Sequence, residues 1–508
     1  MNALTDLCFA LVLVAGAAPC AAVSAQVGAV PRDSGPVFPA TAIGGLGRGL
    51  IEAINTGDSA AQAAFVAAHL SREALETVPL RDRVAWLTRV GEQSGGLQVL
   101  EAKGGEPLEV LVKTRRGDHW ARIWAFADPR FREKLGDYGA VPMRDPAVER
   151  SDVWPSRRLP EGEMLDEIGR HLAGAAERDE FSGVVLVAKG GRTILHRTYG
   201  LADRSWRIPN RLNTKFNLAS MNKMFTAVAI AQLIEQRKLR LDDTLATLLP
   251  DYPNQSAARR ITVAHLLSHS GGLGTLFDRP GFDRRKRYRA SRDYFPIFAA
   301  ESLYFEPGAA SAYSNEGYVV LGAIVERLTG MNYFDYVRER IFAPLGMRNT
   351  DSWAIDDVVP NLAVGYARFE DDPLGIGPRR PNWIFLQWKG SAAGGGYSTT
   401  ADLLKFVRGL REGRLVRRGL VDTLLAPHAK GDWYGYGFMV EDFSGKPARG
   451  HGGGGPGSGI SSELGWFRWE LHRHRPRQLR LARCLGDLSQ ADGVSRGPVD
   501  LPRYSSSD

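Results

Sequence analysis

The sequence has few of the features that define several large classes of protein. Its 508 residues include three cysteines, Cys8, Cys20 and Cys484, which excludes a disulfide framework and a zinc site with four thiolate ligands. The excess of 65 Lys and Arg over 57 Asp and Glu is +8, too small on so long a chain to indicate nucleic-acid binding by itself. Beyond the N-terminus, no run approaches the roughly 18 consecutive apolar residues of a membrane-spanning helix. What remains is a globular chain, 44% hydrophobic and with 57 glycines, long enough for about two or three domains.

The first 25 residues predict an export signal. Residues 7–18 form an apolar run of twelve, too short for a stable membrane anchor, and the small residues at 22–25 suit cleavage after Ala25. Residues 1–6 lack the Lys or Arg that usually precedes such a run, so a buried N-terminal helix is the alternative. We therefore expect an exported protein, periplasmic or secreted, with no integral membrane span once the signal is removed.

A small α+β domain is predicted between two linkers. The linker at 26–40 is rich in Pro, Gly and Ala, and the one at 145–160 is charged and carries three prolines. Helical periodicity over residues 43–70 and 81–90 precedes the strand-like patterns. These patterns lie at residues 97–102, 108–113 and 120–126. Helices followed by an antiparallel sheet, and the helix–Asn-Thr-Gly-Asp–helix opening, resemble nuclear-transport-factor-2-like domains.

The most informative motif is Ser-x-x-Lys at Ser220 and Lys223, at the start of a strongly helical run. Three residues are about one helical turn, so the two side chains project from the same face. A serine hydroxyl is a poor nucleophile unless a neighbouring base takes its proton, and lysine can do so only if its pKa falls. The start of a helix and the apolar neighbours Met224 and Phe225 both favour a lowered lysine pKa. By itself the pattern is common, and an ordinary surface serine and lysine are the alternative.

A second motif is Tyr-x-Asn, at Tyr313 and Asn315, in a loop that runs into a helix. A tyrosine held near a lysine can share its proton and serve as general base and acid. Asn315 can offer its amide to the lysine or to a substrate carbonyl. For this motif taken alone, an ordinary loop at the start of a helix is the more frequent explanation.

The third motif is a glycine run that begins beside His451, in residues 450–457 (GHGGGGPG). Consecutive glycines let a backbone approach a ligand closely and aim N–H groups at a developing oxyanion. A glycine-rich hairpin explains the run equally well when it is taken alone.

In this order, Ser-x-x-Lys, Tyr-x-Asn and His-Gly resemble the motifs of the serine β-lactamase and penicillin-binding-protein superfamily. Tyrosine for the second serine and His-Gly-Gly for Lys-Thr-Gly resemble its class C-like branch, which includes esterases and D-amino-acid peptidases. The resemblance covers about residues 164–463, with further similar segments at 261–273, 342–350 and 392–402. It implies an α+β, β-lactamase-like fold, an antiparallel sheet flanked by helices with an all-helical subdomain, and neither a cofactor nor a metal.

The resemblance also implies the chemical roles of the motif residues. Ser220 would be the acylated nucleophile, with Lys223 as its proton acceptor or electrostatic partner. Tyr313 would be the general base in acylation and deacylation. The backbone N–H groups of Ser220 and Gly454 would form the oxyanion hole.

Asn315, His451 and Gly453 are assigned to substrate binding or to the third motif. His451 replaces the usual lysine of that motif, which helps to hold a substrate carboxylate and the tyrosine. Because histidine is shorter and mostly neutral near pH 7, carboxylate recognition is in doubt, and esters or amides become the favoured substrates. His265 and His269 are four apart on a predicted helix, as in metal sites, but they have no carboxylate at useful spacing and are interpreted as structural.

The resemblance stops after Glu463. Residues 468–483 carry six arginines and no lysine. One interpretation is a divergent ending, in which Phe467, Trp469 and Leu471 alternate as in a strand. The abrupt change of composition favours a shifted reading frame instead, with a disordered end. A nucleic-acid-binding arm has no recognisable binding fold around it.

Taken together, these features predict an exported serine hydrolase that forms an acyl-enzyme at Ser220. Its partners would be small-molecule or peptide substrates, namely a carboxylic ester or small amide, including D-amino-acid peptides and β-lactams, and not nucleic acid. One alternative is a non-catalytic penicillin-recognising sensor with an impaired site; another makes the N-terminal domain the functional unit. The predicted division is a signal at 1–25, a linker at 26–40, the small domain at 41–144, a linker at 145–160, the hydrolase domain at 161–465 and an atypical tail at 466–508.

Overall fold

A computed structural model describes most of the chain, in two compact units. The described residues are 7–17, 38–151, 154–155, 157, 159–277, 279–367, 372–442, 447–454 and 460–469. Within these ranges, the small unit holds residues 38–151 and 372–378, and the large unit holds the rest. The boundary near residue 153 falls inside the segment predicted as a linker. The predicted tail beyond Trp469 lies outside the described residues.

The chain's first described strand is β1 (Leu7–Ala17), in the large unit. It pairs antiparallel with a strand on each side, so it lies inside a sheet. This is the segment predicted as the apolar run of an export signal. Cleavage of a signal stays a prediction, because pairing in the uncleaved chain does not test it.

In the small unit, helices precede an antiparallel sheet, as expected. Its helices are α1 (Ala42–Thr56), α2 (Ser59–His69), α3 (Arg72–Thr77), α4 (Leu80–Ser94) and α5 (Pro146–Ser151). Its strands pair in chain order as β2 (Leu97–Lys103), β3 (Leu108–Thr114), β4 (Trp120–Ala127) and β5 (Leu135–Met143). The Asn-Thr-Gly-Asp turn ends α1 with Gly57 at φ 65° and starts α2 with Asp58, whose carboxylate accepts the N–H of Ala60. Strand β5 was not predicted, because its sequence, LGDYGAVPM, carries two glycines and a proline and shows no clear alternation.

The large unit has the predicted mixture of helices around a sheet. Its helices are α6 (Glu161–Glu177), α7 (Asn222–Glu235), α8 (Leu245–Leu248), α9 (Gln255–Ala258), α10 (Val263–Leu267), α11 (Phe295–Phe298), α12 (Asn315–Thr329), α13 (Tyr333–Val337), α14 (Thr400–Arg411) and α15 (Arg418–Leu425). Its strands after β1 are β6 (Phe181–Lys189), β7 (Arg192–Tyr199), β8 (Leu201–Asp203), β9 (Ile208–Pro209), β10 (Phe216–Ala219), β11 (Tyr366–Ala367), β12 (Arg380–Pro381), β13 (Gly396–Ser398), β14 (Met439–Asp442), β15 (Pro447–His451) and β16 (Ile460–Trp469). The predicted α+β class is therefore confirmed for this unit.

The main sheet of the large unit is antiparallel and, in the described residues, has the order β14-β15-β16-β1-β6-β7. The predicted hairpin of β6 and β7 forms one side, and β15, which ends at His451, lies toward the other. Strand β1 joins the two sides, with Val12 opposite Leu464 on β16 and Leu186 on β6. The N-terminal segment thus completes the sheet that carries the third motif.

Two buried helices bring the first two motifs together. Helix α7 is buried from Asn222 to Leu233, and α12 is buried from Asn315 to Val325. A helix that is apolar on all sides is buried in a core, and the polar residues at its ends can then line a site. The two helices pack against each other, so the residues at their N-terminal ends lie close together. In the described part of the chain, no helix is both long and apolar enough to cross a membrane.

Candidate active site

Ser220 lies in the turn between β10 and α7, and the backbone that precedes it is strained. Ala219 has φ 44°, a left-handed conformation that residues with a Cβ rarely adopt. Its N–H donates to Oδ1 of Asn217 at 2.8 Å, which holds this conformation. Backbone strain of this kind persists only where the surroundings enforce it, as they do at many active sites. Ser220 is therefore presented from a rigid turn at the start of a buried helix.

Lys223 is the buried partner of Ser220, as the spacing predicted. Its side chain is 0% exposed, and Nζ lies 3.3 Å from Oγ of Ser220. Nζ also donates to Oδ1 of Asn315 at 2.7 Å and to the carbonyl oxygen of Ala393 at 2.6 Å. Burial lowers the pKa of Lys223 well below its usual value, because the ammonium loses its hydration. This is the change that a lysine needs before it can accept a proton from serine.

Tyr313 completes the cluster. The Nζ atom of Lys223 lies 4.7 Å from the centre of the Tyr313 ring, and the Tyr313 hydroxyl is hydrogen-bonded to that of Ser220. Burial raises the pKa of Tyr313, more strongly than the hydrogen bond to Ser220 lowers it. The phenol is therefore protonated at neutral pH. The structure brings the predicted serine, lysine and tyrosine together at one point.

Asn315 is engaged by the protein at both ends of its amide. Its Oδ1 accepts from Lys223, and its Nδ2 donates to the carbonyl oxygen of Thr275 at 3.2 Å. The next residue, Glu316, is 0% exposed and accepts from the N–H of Gly274 at 2.6 Å. Of the two roles predicted for Asn315, contact with the lysine is the one that this arrangement favours over contact with a substrate.

His451 is a neutral, fully engaged histidine. Its Nδ1 lies against the carbonyl oxygen of Gly452, which can only accept, so Nδ1 carries the hydrogen. The hydroxyl of Tyr434 then donates to Nε2 at 2.8 Å. Burial, with a smaller contribution from the charge of Lys223, lowers the pKa of His451 to about 3. Because the ring has neither a charge nor a free N–H, this geometry agrees with the doubt that His451 recognises a substrate carboxylate as the usual lysine does.

His265 and His269 each accept a backbone hydrogen bond, and they do not lie on one helix as predicted. Helix α10 ends at Leu267, and His269 follows it at φ 59°, so the two histidines do not share a helical face. Nδ1 of His265 accepts the N–H of Thr262 in a capping box. Nδ1 of His269 accepts the N–H of Ser314 at 3.0 Å, beside Tyr313. Among the described residues, no group of His, Cys, Asp and Glu side chains could hold a metal ion.

The glycine run packs against the backbone that leads to Ser220. A Cβ at Gly453 would overlap the carbonyl oxygen of Leu218, so this position requires glycine. Gly454 lines the same cavity as Ser220. Residues 455–459 lie outside the described part of the chain. The two backbone N–H groups predicted for the oxyanion hole therefore belong to residues that border one cavity.

This cavity is open to solvent and mostly apolar. Its volume is about 740 Å³ when the solvent at its mouth is included. Aromatic and aliphatic side chains form much of its wall, and a few polar side chains join them. The lining residues with side chains beyond Cβ, apart from Ser220, are Asn217, Phe277, Arg284, Trp353, Phe385, Leu386, Gln387 and Tyr397.

The family model for Beta-lactamase matches residues 168–467, more than half of the chain. The chain belongs to the beta-lactamase family. It is 30% identical over 301 residues to penicillin-binding protein 4* of Bacillus subtilis (strain 168), a match that covers 55% of this chain and 64% of that relative. It is 29% identical over 297 residues to esterase EstB of Burkholderia gladioli, over 51% of this chain and 72% of that protein.

A solved structure extends the likeness to three dimensions. The crystal structure of the penicillin-binding protein from Bacillus halodurans is similar, with a TM-score of 0.51 and 30% identity. The match covers 58% of this chain and 94% of that one. All three motifs lie inside the region matched to the family model, and the small unit at 38–151 lies outside it.

Several residues of this beta-lactamase-family site are not marked by a motif in the sequence. Ala393 contributes a backbone carbonyl to Lys223, and its segment had been noted only as a similarity. Tyr434 holds His451, yet no motif marks it. Arg284 and Trp353 reach the cavity from loops with no distinctive pattern. Only the fold brings these residues to the site.

Proposed function

We propose that this chain is a serine hydrolase that cleaves a carboxylic ester or small amide through an acyl-enzyme at Ser220. The observation that carries the proposal is the pair of Ser220 and Lys223. A fully buried lysine with a lowered pKa, 3.3 Å from a serine hydroxyl, is an arrangement that activates a nucleophile. A structural role alone would not require a buried amine to stand beside a hydroxyl on the wall of a cavity.

The reaction follows from the atoms present. Oγ of Ser220 attacks the carbonyl carbon, and its proton passes to the cluster of Lys223 and Tyr313. The carbonyl oxygen becomes an oxyanion, which the backbone N–H groups of Ser220 and Gly454 stabilise. A proton from the cluster then goes to the leaving alcohol or amine as its bond to carbon breaks. Water then attacks the carbonyl carbon of the acyl-enzyme and gives a proton to the cluster. The cluster returns a proton to Oγ of Ser220 as its bond to the acyl carbon breaks and the acid is released.

The pKa directions divide the proton transfers between the two residues. Burial lowers the pKa of Lys223 and raises that of Tyr313, so the resting proton belongs to the phenol. We therefore assign to Lys223 the removal of the proton from Ser220, and to Tyr313 its delivery to the leaving group. This assignment agrees with the role of proton acceptor that the resemblance implies for Lys223 and differs from the role of general base that it implies for Tyr313.

The third motif favours esters and simple amides over substrates with a carboxylate near the scissile bond. His451 is neutral and has both ring nitrogens engaged, so it offers such a carboxylate no positive charge. The similarity to a named esterase supports the same direction. The apolar run and the small residues before position 26 further support export to the periplasm or medium.

A fluorophosphonate probe and nitrophenyl acyl esters test this function together. Wild type should be labelled and should hydrolyse the esters, whereas Ser220→Ala should do neither. Ser205→Ala removes an exposed serine outside the site and should behave as wild type. Absence of labelling in wild type, or equal labelling of Ser220→Ala, would overturn the proposal. Labelling without turnover would favour the sensor instead.

A further inference from the structure

The cavity at Ser220 has an uneven distribution of charge. Among its described lining residues, Arg284 is the one cation, and no aspartate or glutamate lines the wall. Lys223 lies behind Ser220 and gives its hydrogen bonds to protein oxygens. His451 is neutral. Any charge recognition inside the cavity therefore depends on Arg284.

Arg284 differs from its neighbours in having no carboxylate partner among the described residues. Arg285 pairs with Asp283, and Arg287 pairs with Asp356. The guanidinium of Arg284 instead lies 5.5 Å from the ring centre of Phe282. Its backbone is held by the N–H of Trp388, which donates to the carbonyl oxygen of Arg284 at 3.0 Å. A partly buried guanidinium with no carboxylate partner among the described residues can bind an anion through charge-assisted hydrogen bonds.

The acyl side of a substrate is the part that would reach Arg284. In the proposed mechanism Tyr313 protonates the leaving group, and Tyr313 does not belong to the described lining of this cavity. The acyl group, by contrast, stays bonded to Ser220, which does line it. The aromatic wall, including Trp353 and Phe385, would enclose an apolar acyl chain between Ser220 and the arginine.

We propose that Arg284 is a specificity-determining residue that binds a carboxylate at the far end of the acyl group. This inference rests on the function proposed above and names the substrate class: esters or amides of acids with an apolar chain and a second, ionised carboxylate. Acyl groups with a free ammonium are disfavoured, because the described wall places a positive charge and no carboxylate near them. The carboxylate lies away from the scissile bond, so the neutral His451 is no obstacle.

The test compares two nitrophenyl esters that differ only in charge. One is the mono-nitrophenyl ester of suberic acid, with a free carboxylate; the other carries a methyl ester in its place. Wild type should prefer the anionic ester in kcat/KM. Arg284→Gln should lower kcat/KM for the anionic ester by about tenfold or more, since charge-assisted hydrogen bonds are strong, and change that for the neutral ester by less than about threefold. Arg284→Lys should recover part of the preference.

Arg285→Gln is the matched control, because its side chain is 93% exposed and lies next to Arg284. This variant should keep the wild-type preference. Equal losses on both esters in Arg284→Gln, or a wild type without preference for the anion, would overturn the inference. Fluorophosphonate labelling of the same samples separates the two proposals: a labelled enzyme without charge selectivity sinks only the inference, and an unlabelled wild type sinks both.

Discussion

The hydroxyl of Tyr434 donates to Nε2 of His451 at 2.8 Å, and both side chains are buried. Because Nδ1 is engaged by the carbonyl oxygen of Gly452, this bond leaves the imidazole with no hydrogen-bonding group for a ligand. His451 therefore acts on the site through shape and packing, at the end of the strand that leads into the glycine run. The usual lysine of the third motif carries a charge, whereas this histidine offers the site no charge, in agreement with the doubt about carboxylate recognition.

Removing the Tyr434 hydroxyl should destabilise the protein. In Tyr434→Phe, the buried Nε2 of His451 loses its partner, and an unsatisfied buried acceptor costs about 1–3 kcal/mol. Thermal and urea unfolding should show this loss, while fluorophosphonate labelling at low temperature persists. Tyr304→Phe, at an exposed tyrosine, is the control and should unfold as wild type. Unchanged stability of Tyr434→Phe would show that the bond contributes nothing.

Activity should rise with pH through the lowered pKa of Lys223. The neutral amine is the form that accepts the proton of Ser220, and burial extends that form to lower pH. Tyr313 has a raised pKa and keeps its proton, so no falling limb is expected below pH 10. The measurement is kcat/KM for a neutral ester between pH 5 and pH 10, with the rate at each pH corrected for spontaneous hydrolysis of the ester.

Lys223→Met should lower kcat/KM by about 100-fold or more, the usual contribution of a general base, and should abolish this pH dependence. Lys405→Met, at a lysine on α14 that pairs with Asp402, is the matched control. A variant at Lys223 that kept the wild-type pH profile would assign the titration to another group.

Gly453 should tolerate no side chain. A Cβ added at this position would overlap the carbonyl oxygen of Leu218, which belongs to the backbone that presents Ser220. A backbone atom cannot move aside as the end of a flexible side chain can. Gly453→Ala should therefore slow acylation, measured as the rate of fluorophosphonate labelling. We expect a loss of about tenfold or more, because a shift of this backbone would misplace a donor of the oxyanion hole. Gly419→Ala, where an added Cβ meets open space, should label at the wild-type rate.

The parts of the site that could be predicted are those that depend on residues close together in the sequence. Ser220 and Lys223 are one helical turn apart, and the apolar run after them needs a buried helix, so motif and burial agree. Tyr434 and Arg284 were not predictable, because their partners are defined by loops that only the folded chain brings together. The N-terminal strand was missed for another reason: an apolar run that precedes small residues has the same composition whether it is a signal or a strand.

Residues 7–17 can be tested directly for the two interpretations, an export signal and a strand of the folded protein. Removal of residues 1–25 would take β1 from between β16 and β6 and leave both strands with unpaired N–H and C=O groups. We expect exported protein to begin at Gln26, as N-terminal sequencing would show. We also expect the full chain, made without export, to unfold at a higher temperature than the chain from Gln26.

Proline at position 12 separates a pairing effect from a general effect of chain length. Val12 lies opposite Leu464 on one side and Leu186 on the other, and proline removes an N–H from an inner strand, which such strands do not tolerate. Val12→Pro in the full chain should therefore lower its unfolding temperature to that of the chain from Gln26. Ala29→Pro, in the predicted linker, should leave it unchanged. If the full chain, its Val12→Pro variant and the shortened chain unfold together, β1 contributes nothing to the folded protein, and residues 7–17 act only as a signal.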